Sequence, residues 1–507
     1  MRDAPSFIPT HRLGRRDFLR DASRLALAAA LPGWLGGAGG RVLRRAAPVR
    51  VRGRVAAGGR GVAGAAVSDG LSVVATDRDG RFELVSDAMR RHVFVCTPRG
   101  FRLPVSAHGT LRLHRPLVAD ASGEMTARFE LEPAARDERD HDVVVIADPQ
   151  TQTAEEMGFF HAETIPDVER TVREAATPVA FGATVGDIVS DTLSLFPEYE
   201  RAVARIGVPF AQVVGNHDLD MTSAGDGGST ATFERHFGPT YYSFDRGEVH
   251  YVVLDDVLWH GGGYIGYVDD AQLAWLAADL ARVEAGRTVV VFLHIPLRST
   301  RVERANEPQW RTIWEVTNRA AVHRLLEPYR AHVVAGHTHE SEHVFDGRLH
   351  EHVLGTACGA WWSGPICWDG TPNGYAVLEA RGAELRWRYK GTGLRADDQM
   401  RVYARGADAA APQEVVATVW DWEPGWRVVW YEGGDRRGAM ARRTGLDPLS
   451  VTLHAGKDKP ARRSWVEPSP TAHQFYATPT GSGEIRVEAT DRFGRTYVAT
   501  AAPASAP

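Results

Sequence analysis

Cysteine is scarce in this chain: 507 residues hold three, Cys96, Cys358 and Cys367. None of them forms a C-x-x-C pair, which excludes the common cysteine metal sites and redox motifs. Cys358 and Cys367 are near enough in sequence to bridge in an oxidising compartment, leaving Cys96 unpaired; Cα separation and direction decide that. Charge of one sign is also missing. With 59 Lys and Arg against 64 Asp and Glu, the formal net charge is −5, so there is no nucleic-acid or polybasic membrane footprint. Apart from one stretch near the start, no segment is apolar enough to span a bilayer. Internal repeats are absent, and low complexity is confined to 36–54 and the Ala/Pro tail. What remains is 43% hydrophobic and 24% charged, the composition of a soluble globular protein. The length suggests about three domains. Fourteen tryptophans are enough to fill cores and still line part of a binding face.

Near the start, Arg15-Arg16-Asp17-Phe18-Leu19-Arg20 precedes an uncharged apolar stretch at 25–35. This resembles a twin-arginine export signal, with Gly14 where such signals usually carry Ser or Thr. The apolar run is too short for a stable anchor. The mature start is expected between Gly36 and Pro48, and the protein is expected to be periplasmic or extracellular. That route exports folded proteins, which permits metal loading beforehand.

Three further zones follow. From 48 to 120, short β-like runs (49–55, 72–76, 81–85, 92–97) are broken by glycine turns, and Asp79-Gly80 reads as a hairpin turn. This zone resembles a transthyretin-like β-sandwich. From 121 to 396, buried-strand runs at 143–147, 179–185, 210–214, 249–254, 288–293 and 332–335 alternate with helical stretches, predicting an α/β domain. Helices are expected at 269–283, with Leu273, Leu276 and Leu280 on one face, and at 320–329. From 397 to 507 the strand pattern returns (414–420, 426–431, 483–490, 495–500), predicting a second β-rich domain.

The chemistry-bearing residues stand directly after the central runs. Asp148-Pro149-Gln150 follows the first, Gly186-Asp187 the second and Gly215-Asn216-His217-Asp218 the third. His294 follows the run at 288–293, and Gly336-His337-Thr338-His339 follows 332–335. Ligands bind at the carboxyl ends of strands in open α/β sheets, so one rim should collect all of these side chains. Any single piece is weak, because Gly-Asn-His-Asp alone is a reasonable turn. Five in this order are not a coincidence of turns.

The ordered set resembles the calcineurin-like metallophosphoesterase family, whose pattern is D-x-H, G-D, G-N-H-[D/E], H and G-H-x-H. The resemblance implies a four-layer β-sandwich flanked by helices, with two divalent transition-metal ions (Mn, Fe or Zn). Asp187 would bridge them, Asp148 and His339 would hold the first ion, and Asn216, His294 and His337 the second. A hydroxide bridging the ions would be the nucleophile. Mixed imidazole, carboxylate and amide donors suit such ions better than calcium. His217 would stand beside the metals as a general acid or oxyanion-stabilising group, oriented by either Asp218 or Asp191. Gln150 departs from the pattern: it occupies the usual His position and is a weaker first-ion ligand. Asp-Pro-Gln resembles one branch of the family, so the glutamine need not mean a dead enzyme.

A second group, Trp361-Trp362 through Asp369 and Asn373, together with Tyr264-Ile265-Gly266-Tyr267, resembles an exported bacterial subgroup with extra terminal domains. Trp361, Trp362, Asp369 and Asn373 are expected to contact the leaving group alongside Asn216 and His217; two adjacent tryptophans cannot easily both be buried on a strand. His161 is expected at the surface. The expected activity is hydrolysis of phosphate mono- or diesters in a phosphorylated small molecule or envelope component. Two rivals are an envelope binding protein on the same fold and a metallohydrolase of another bond.

Overall fold

The computed structural model describes residues 48–87, 89–457 and 459–501; the signal-like segment lies outside them. Strand Pro48–Ala57 turns Val49, Val51 and Val55 inward, the period-2 burial of a half-covered sheet. It pairs antiparallel with Arg81–Asp87 and parallel with Glu124–Glu130. A second small sheet, Val73–Ala75, Ala66–Ser68, His92–Cys96 and His114–Pro116, covers it through Val67, Phe82, Val93 and Phe129. Two expectations are corrected here. Asp79-Gly80 closes no hairpin, because Val73–Ala75 and Arg81–Asp87 belong to different sheets. The N-terminal sheet also reaches past residue 120, since Glu124–Glu130 completes it.

The central region stacks two sheets. One runs in the order Phe210–Val213, Val179–Val185, Asp140–Ile146, Gly374–Arg381, Glu384–Gly391, with the first three parallel. The other runs Tyr242–Arg246, Val249–Val253, Thr288–Phe292, Arg330–Ala335, Leu349–Val353, Glu342–Asp346, with the inner four parallel. Val143, Val144, Val145 and Ile146 are all fully buried, as expected of a strand covered on both faces. Phe181 of the first sheet meets Phe244 and Tyr251 of the second edge-on, with ring centroids 5.1 and 4.8 Å apart. The carboxyl ends of the strands therefore meet on a rim shared by two sheets, rather than on the edge of one open sheet.

Helix Asp270–Leu280 starts where Asp269 accepts from the Gln272 amide, and it buries Trp275, Leu276 and Leu280. Helix Arg319–Leu326 is shorter than the expected 320–329; Pro328 disfavours helical geometry at the residue before it. Toward the C-terminus, two four-stranded sheets enclose Val415, Val419, Trp430 and Val487. Cys358 and Cys367, whose pairing the sequence left open, are both free, buried thiols.

One buried ion cluster ties sheet to helix. His250 lies 3.0 Å from Asp245 and 2.9 Å from Asp279. Burial opposes its charge, but the two carboxylates outweigh that and raise it to about 9. A histidine raised above its unfolded value of about 6.5 stabilises the fold fully below that pH and loses this as pH climbs through the folded value. Its contribution, about 3 kcal/mol, should therefore fade between roughly pH 6.5 and 9. Denaturant unfolding of His250→Gln should show a loss of that order at pH 6 and a much smaller one at pH 10. An equal loss at both would refute the charged assignment.

Candidate metal centre

Each functional loop leaves a buried strand at once, which fixes its backbone. Asp148 and Gln150 follow Asp140–Ile146, Asp187 follows Val179–Val185, and Asn216 and His217 follow Phe210–Val213. From the second sheet, His294 follows Thr288–Phe292, and His337 and His339 follow Arg330–Ala335. The loops are drawn tight. A Cβ on Gly186 would sit 2.2 Å from the His294 ring, and one on Gly336 would sit 2.1 Å from an Asp148 oxygen. Among the described residues, ten non-glycine positions have positive φ, and eight of them are Asp148, Gln150, Asp187, Asp191, His337, His339, Trp361 and Trp362. Such strain persists only where the surroundings over-determine it, and it gathers at functional sites.

The hydrogen bonds fix how the histidines point. His294 Nδ1 lies 3.0 Å from the Val185 carbonyl, His337 Nε2 2.8 Å from that of Ile313, and His339 Nδ1 2.6 Å from that of Gly359. A carbonyl only accepts, so each of these nitrogens carries the proton and leaves the other as a lone-pair donor. Those lone pairs converge. His294 Nε2 is 3.0 Å from Asn216 Oδ1, 3.1 Å from His337 Nδ1 and 3.3 Å from Asp187 Oδ1. His339 Nε2 is 3.6 Å from Asp148 Oδ1. Gln150 donates through Nε2 to Asp187 Oδ2 at 3.0 Å. The donor atoms of Asp187, His294 and His337 all lie within 4.8 Å of one another. Lone pairs aimed at each other and at carboxylates in a buried pocket repel unless a cation lies between them, so this donor set fits metal ions.

The proton affinities show the same crowding. Burial pushes the Asp148 carboxyl up to about 8. Burial pushes Asp187 the same way, but His294 and His217 pull it below the usual carboxylate range. Burial opposes charge on His294, yet Asp187 raises it to about 10, and the proton this places on Nε2 against Asp187 is the one that metal binding would displace. Burial lowers His337 well below its ordinary value and His339 to about 4, and neutral imidazole is the form that ligates metal.

His217 differs from its neighbours. Its side chain is 28% exposed, and Nδ1 lies 2.6 Å from Asp191 Oδ1. Burial works against its charge, but Asp187 and Asp191 raise it to about 9. Of the two candidate partners, the geometry selects Asp191. Asp218 is corrected: fully buried, it accepts from the amides of Ile188, Val189 and Gly215 and braces the loops.

The second group divides. Trp361 stacks on His339, with ring centroids 4.0 Å apart. Trp362 is buried, and its indole N–H donates to the Pro149 carbonyl, supporting the Asp148 loop from behind. Asp369 is corrected from a substrate contact to a turn brace, accepting from the Ser341 and Thr371 amides. Asn373 is corrected likewise, donating to the Gly364 carbonyl. His161 is paired with Glu198. Sequence reading missed Asp256, which accepts from the His294 and Ile295 amides; its place just after the run at 249–254 was the available signal. It also missed the aromatic rim. Trp314 lies 5.2 Å from His337, and Trp368 and Trp465 lie 5.0 and 4.6 Å from Trp361. Trp465 comes from the C-terminal region, and no local pattern marks it.

Comparison with known proteins gives three matches to calcineurin-like phosphoesterase: its N-terminal part at residues 49–134, the phosphoesterase itself at 141–341 and its C-terminal part at 351–497. A stretch of 164 residues is 30% identical to purple acid phosphatase 23 of Arabidopsis thaliana, covering 29% of this chain and 31% of that protein. A stretch of 99 residues is 34% identical to the Homo sapiens serine/threonine-protein phosphatase CPPED1, covering 19% of this chain and 31% of that one. The matches thus span about a third of the length of these curated relatives. Among solved structures, a dimetal phosphatase from Danio rerio aligns with a TM-score of 0.34 at 16% identity, covering 50% of this chain and 96% of that one.

Proposed function

The chain belongs to the calcineurin-like phosphoesterase family, and from that premise we propose that it hydrolyses phosphate esters at a centre of two divalent transition-metal ions, outside the cytoplasm. The observation that carries this reading is the convergence of the His294, His337 and His339 lone pairs on Asp148, Asp187 and Asn216. Asp148, Gln150 and His339 would hold one ion, Asn216, His294 and His337 the other, and Asp187 would lie between them. When bound, Mn, Fe or Zn would supply Lewis acidity toward phosphate oxygens and an activated water.

The chain's own side chains do the rest. Asp191 accepts from His217 Nδ1, which keeps that ring charged and leaves its Nε2–H to meet a phosphate oxygen or to protonate the leaving alkoxide. Asn216 can donate to the same phosphate through its amide. Trp361, Trp368 and Trp465 form an aromatic wall beside His339, suited to the apolar part of a phosphorylated small molecule or envelope component. The signal-like segment at 15–35 supports export.

Elemental analysis of the purified protein, paired with hydrolysis of p-nitrophenyl phosphate and bis-p-nitrophenyl phosphate, tests the reading. About two ions per chain at this centre, lost together with turnover on treatment with chelator, are expected, and the preferred ester separates monoesterase from diesterase. Empty sites and no turnover after reloading would favour a binding protein instead. A second test concerns Gln150, whose amide is a weaker donor than imidazole. Gln150→His should slow metal loss to chelator by on the order of ten-fold. Unchanged loss would remove Gln150 from the ligand set.

A further inference from the structure

On the second sheet, three adjacent strands place histidines together. His332 of Arg330–Ala335 is in register with His350 of Leu349–Val353, and His352 follows two residues on. His343 of Glu342–Asp346 pairs with His352 across the other side. Residues two apart on a strand share a face, so His350 and His352 project the same way. At about 3.3 Å per residue, His332 is on the order of 15 Å along the chain from His337, and the cluster shares no residue with the catalytic centre.

We propose that His332, His350 and His352 form a separate site for one zinc ion or a similar borderline divalent ion. Their ligand atoms all lie within 4.8 Å of one another, and His332 Nδ1 is 3.0 Å from His352 Nε2. Three nitrogens at zinc-ligand distance in a tetrahedral arrangement stand roughly 3.3 Å apart, so small ring rotations complete the set. The imidazoles are held neutral: burial lowers His332 to about 4 and His352 well below its ordinary value, leaving lone pairs available at pH 7.

The surroundings are those of a built site. Asp421 Oδ1 lies 2.9 Å from His343 Nε2, so that nitrogen carries the proton and His343 Nδ1 accepts. His350 Nε2 lies 3.0 Å from His343 Nδ1 and must then be the donor, which leaves His350 Nδ1 as its lone-pair nitrogen. A carboxylate acting through a neighbouring side chain to fix a ligand's tautomer is how outer partners tune metal sites. Arg492, which lies 5.3 Å from the centre of the Trp387 ring, is paired with Glu423 by two contacts at 2.8 and 2.6 Å. Trp387 covers the rings at 4.6 Å from His350 and 4.8 Å from His352. A cavity of about 620 Å³ reaches His332 and His350 between Arg330, Phe345 and Trp387, giving an ion a way in and a water its place as fourth ligand.

The test uses the full chain with its catalytic centre disabled by His294→Ala and His337→Ala, stripped by chelator and titrated with Zn²⁺. One equivalent should bind, and Co²⁺ in its place should give tetrahedral visible absorption and quench tryptophan fluorescence. Adding His332→Gln should abolish both. Should the disabled chain fail to fold, the wild type and the single His332→Gln variant are compared instead. The variant is expected to hold one ion fewer per chain with hydrolysis of p-nitrophenyl phosphate unchanged. No uptake by the disabled chain, or uptake and affinity unaltered by His332→Gln, overturns the proposal.

Discussion

Asp187→Asn should leave a folded protein that retains less than one metal ion at its catalytic centre and turns over at least about a hundred-fold more slowly. The substitution changes almost no volume, but it removes the carboxylate on which the site converges. Asp187 Oδ1 accepts from the His217 amide at 2.9 Å and lies 3.3 Å from His294 Nε2, while Oδ2 accepts from Gln150 at 3.0 Å. An asparagine keeps one acceptor oxygen and turns an N–H₂ toward either the Gln150 amide or the His217 N–H, placing donor against donor. It would also remove the negative charge that offsets the two proposed cations. Losing even an outer-shell partner costs 10–100-fold in affinity or activity, so losing a shared ligand should cost at least the upper end. Metal content and turnover measured on one sample decide it. Full metal content with normal rate would sink the assignment of Asp187 between the ions.

His217→Ala should do the opposite to the metals and nearly the same to the rate. Its ring contacts Asp191 rather than the cluster of lone pairs, and it is open to solvent. Metal content should therefore stay at the wild-type level while kcat falls by about 10²–10⁴-fold, the usual worth of a positioned general acid. Asp191→Asn should cost less, because Asp191 acts through His217 as a positioning residue. In the His217→Ala background it should cost almost nothing further, since residues that act as a unit are non-additive. A normal rate in His217→Ala, or full additivity of the pair, would remove this histidine from catalysis.

Sequence by itself determined the strands that carry the site and the residues at their ends. The run at 179–185 is the strand Val179–Val185, because a strand buried on both faces reads as a near-continuous apolar run, and this one ends where Gly186-Asp187 begins. Asp148, Asp187, Asn216, His294, His337 and His339 were legible for the same reason: polar residues directly after such runs have few places to go but the rim. Tertiary structure decided what local pattern does not encode. Which carboxylate faces His217 depends on where the loop carrying Asp191 returns, 26 residues away in sequence, whereas Asp218 is its chain neighbour. Asp369 and Asn373 read as substrate contacts, yet their oxygens and amides close turns around Ser341 and Gly364. Trp465 meets Trp361 across more than a hundred residues of chain. The four histidines around Trp387 meet only because parallel and antiparallel neighbours bring them into register. Periodicity reports burial along one element, whereas a contact between elements is set by register and packing, which no single stretch of sequence contains.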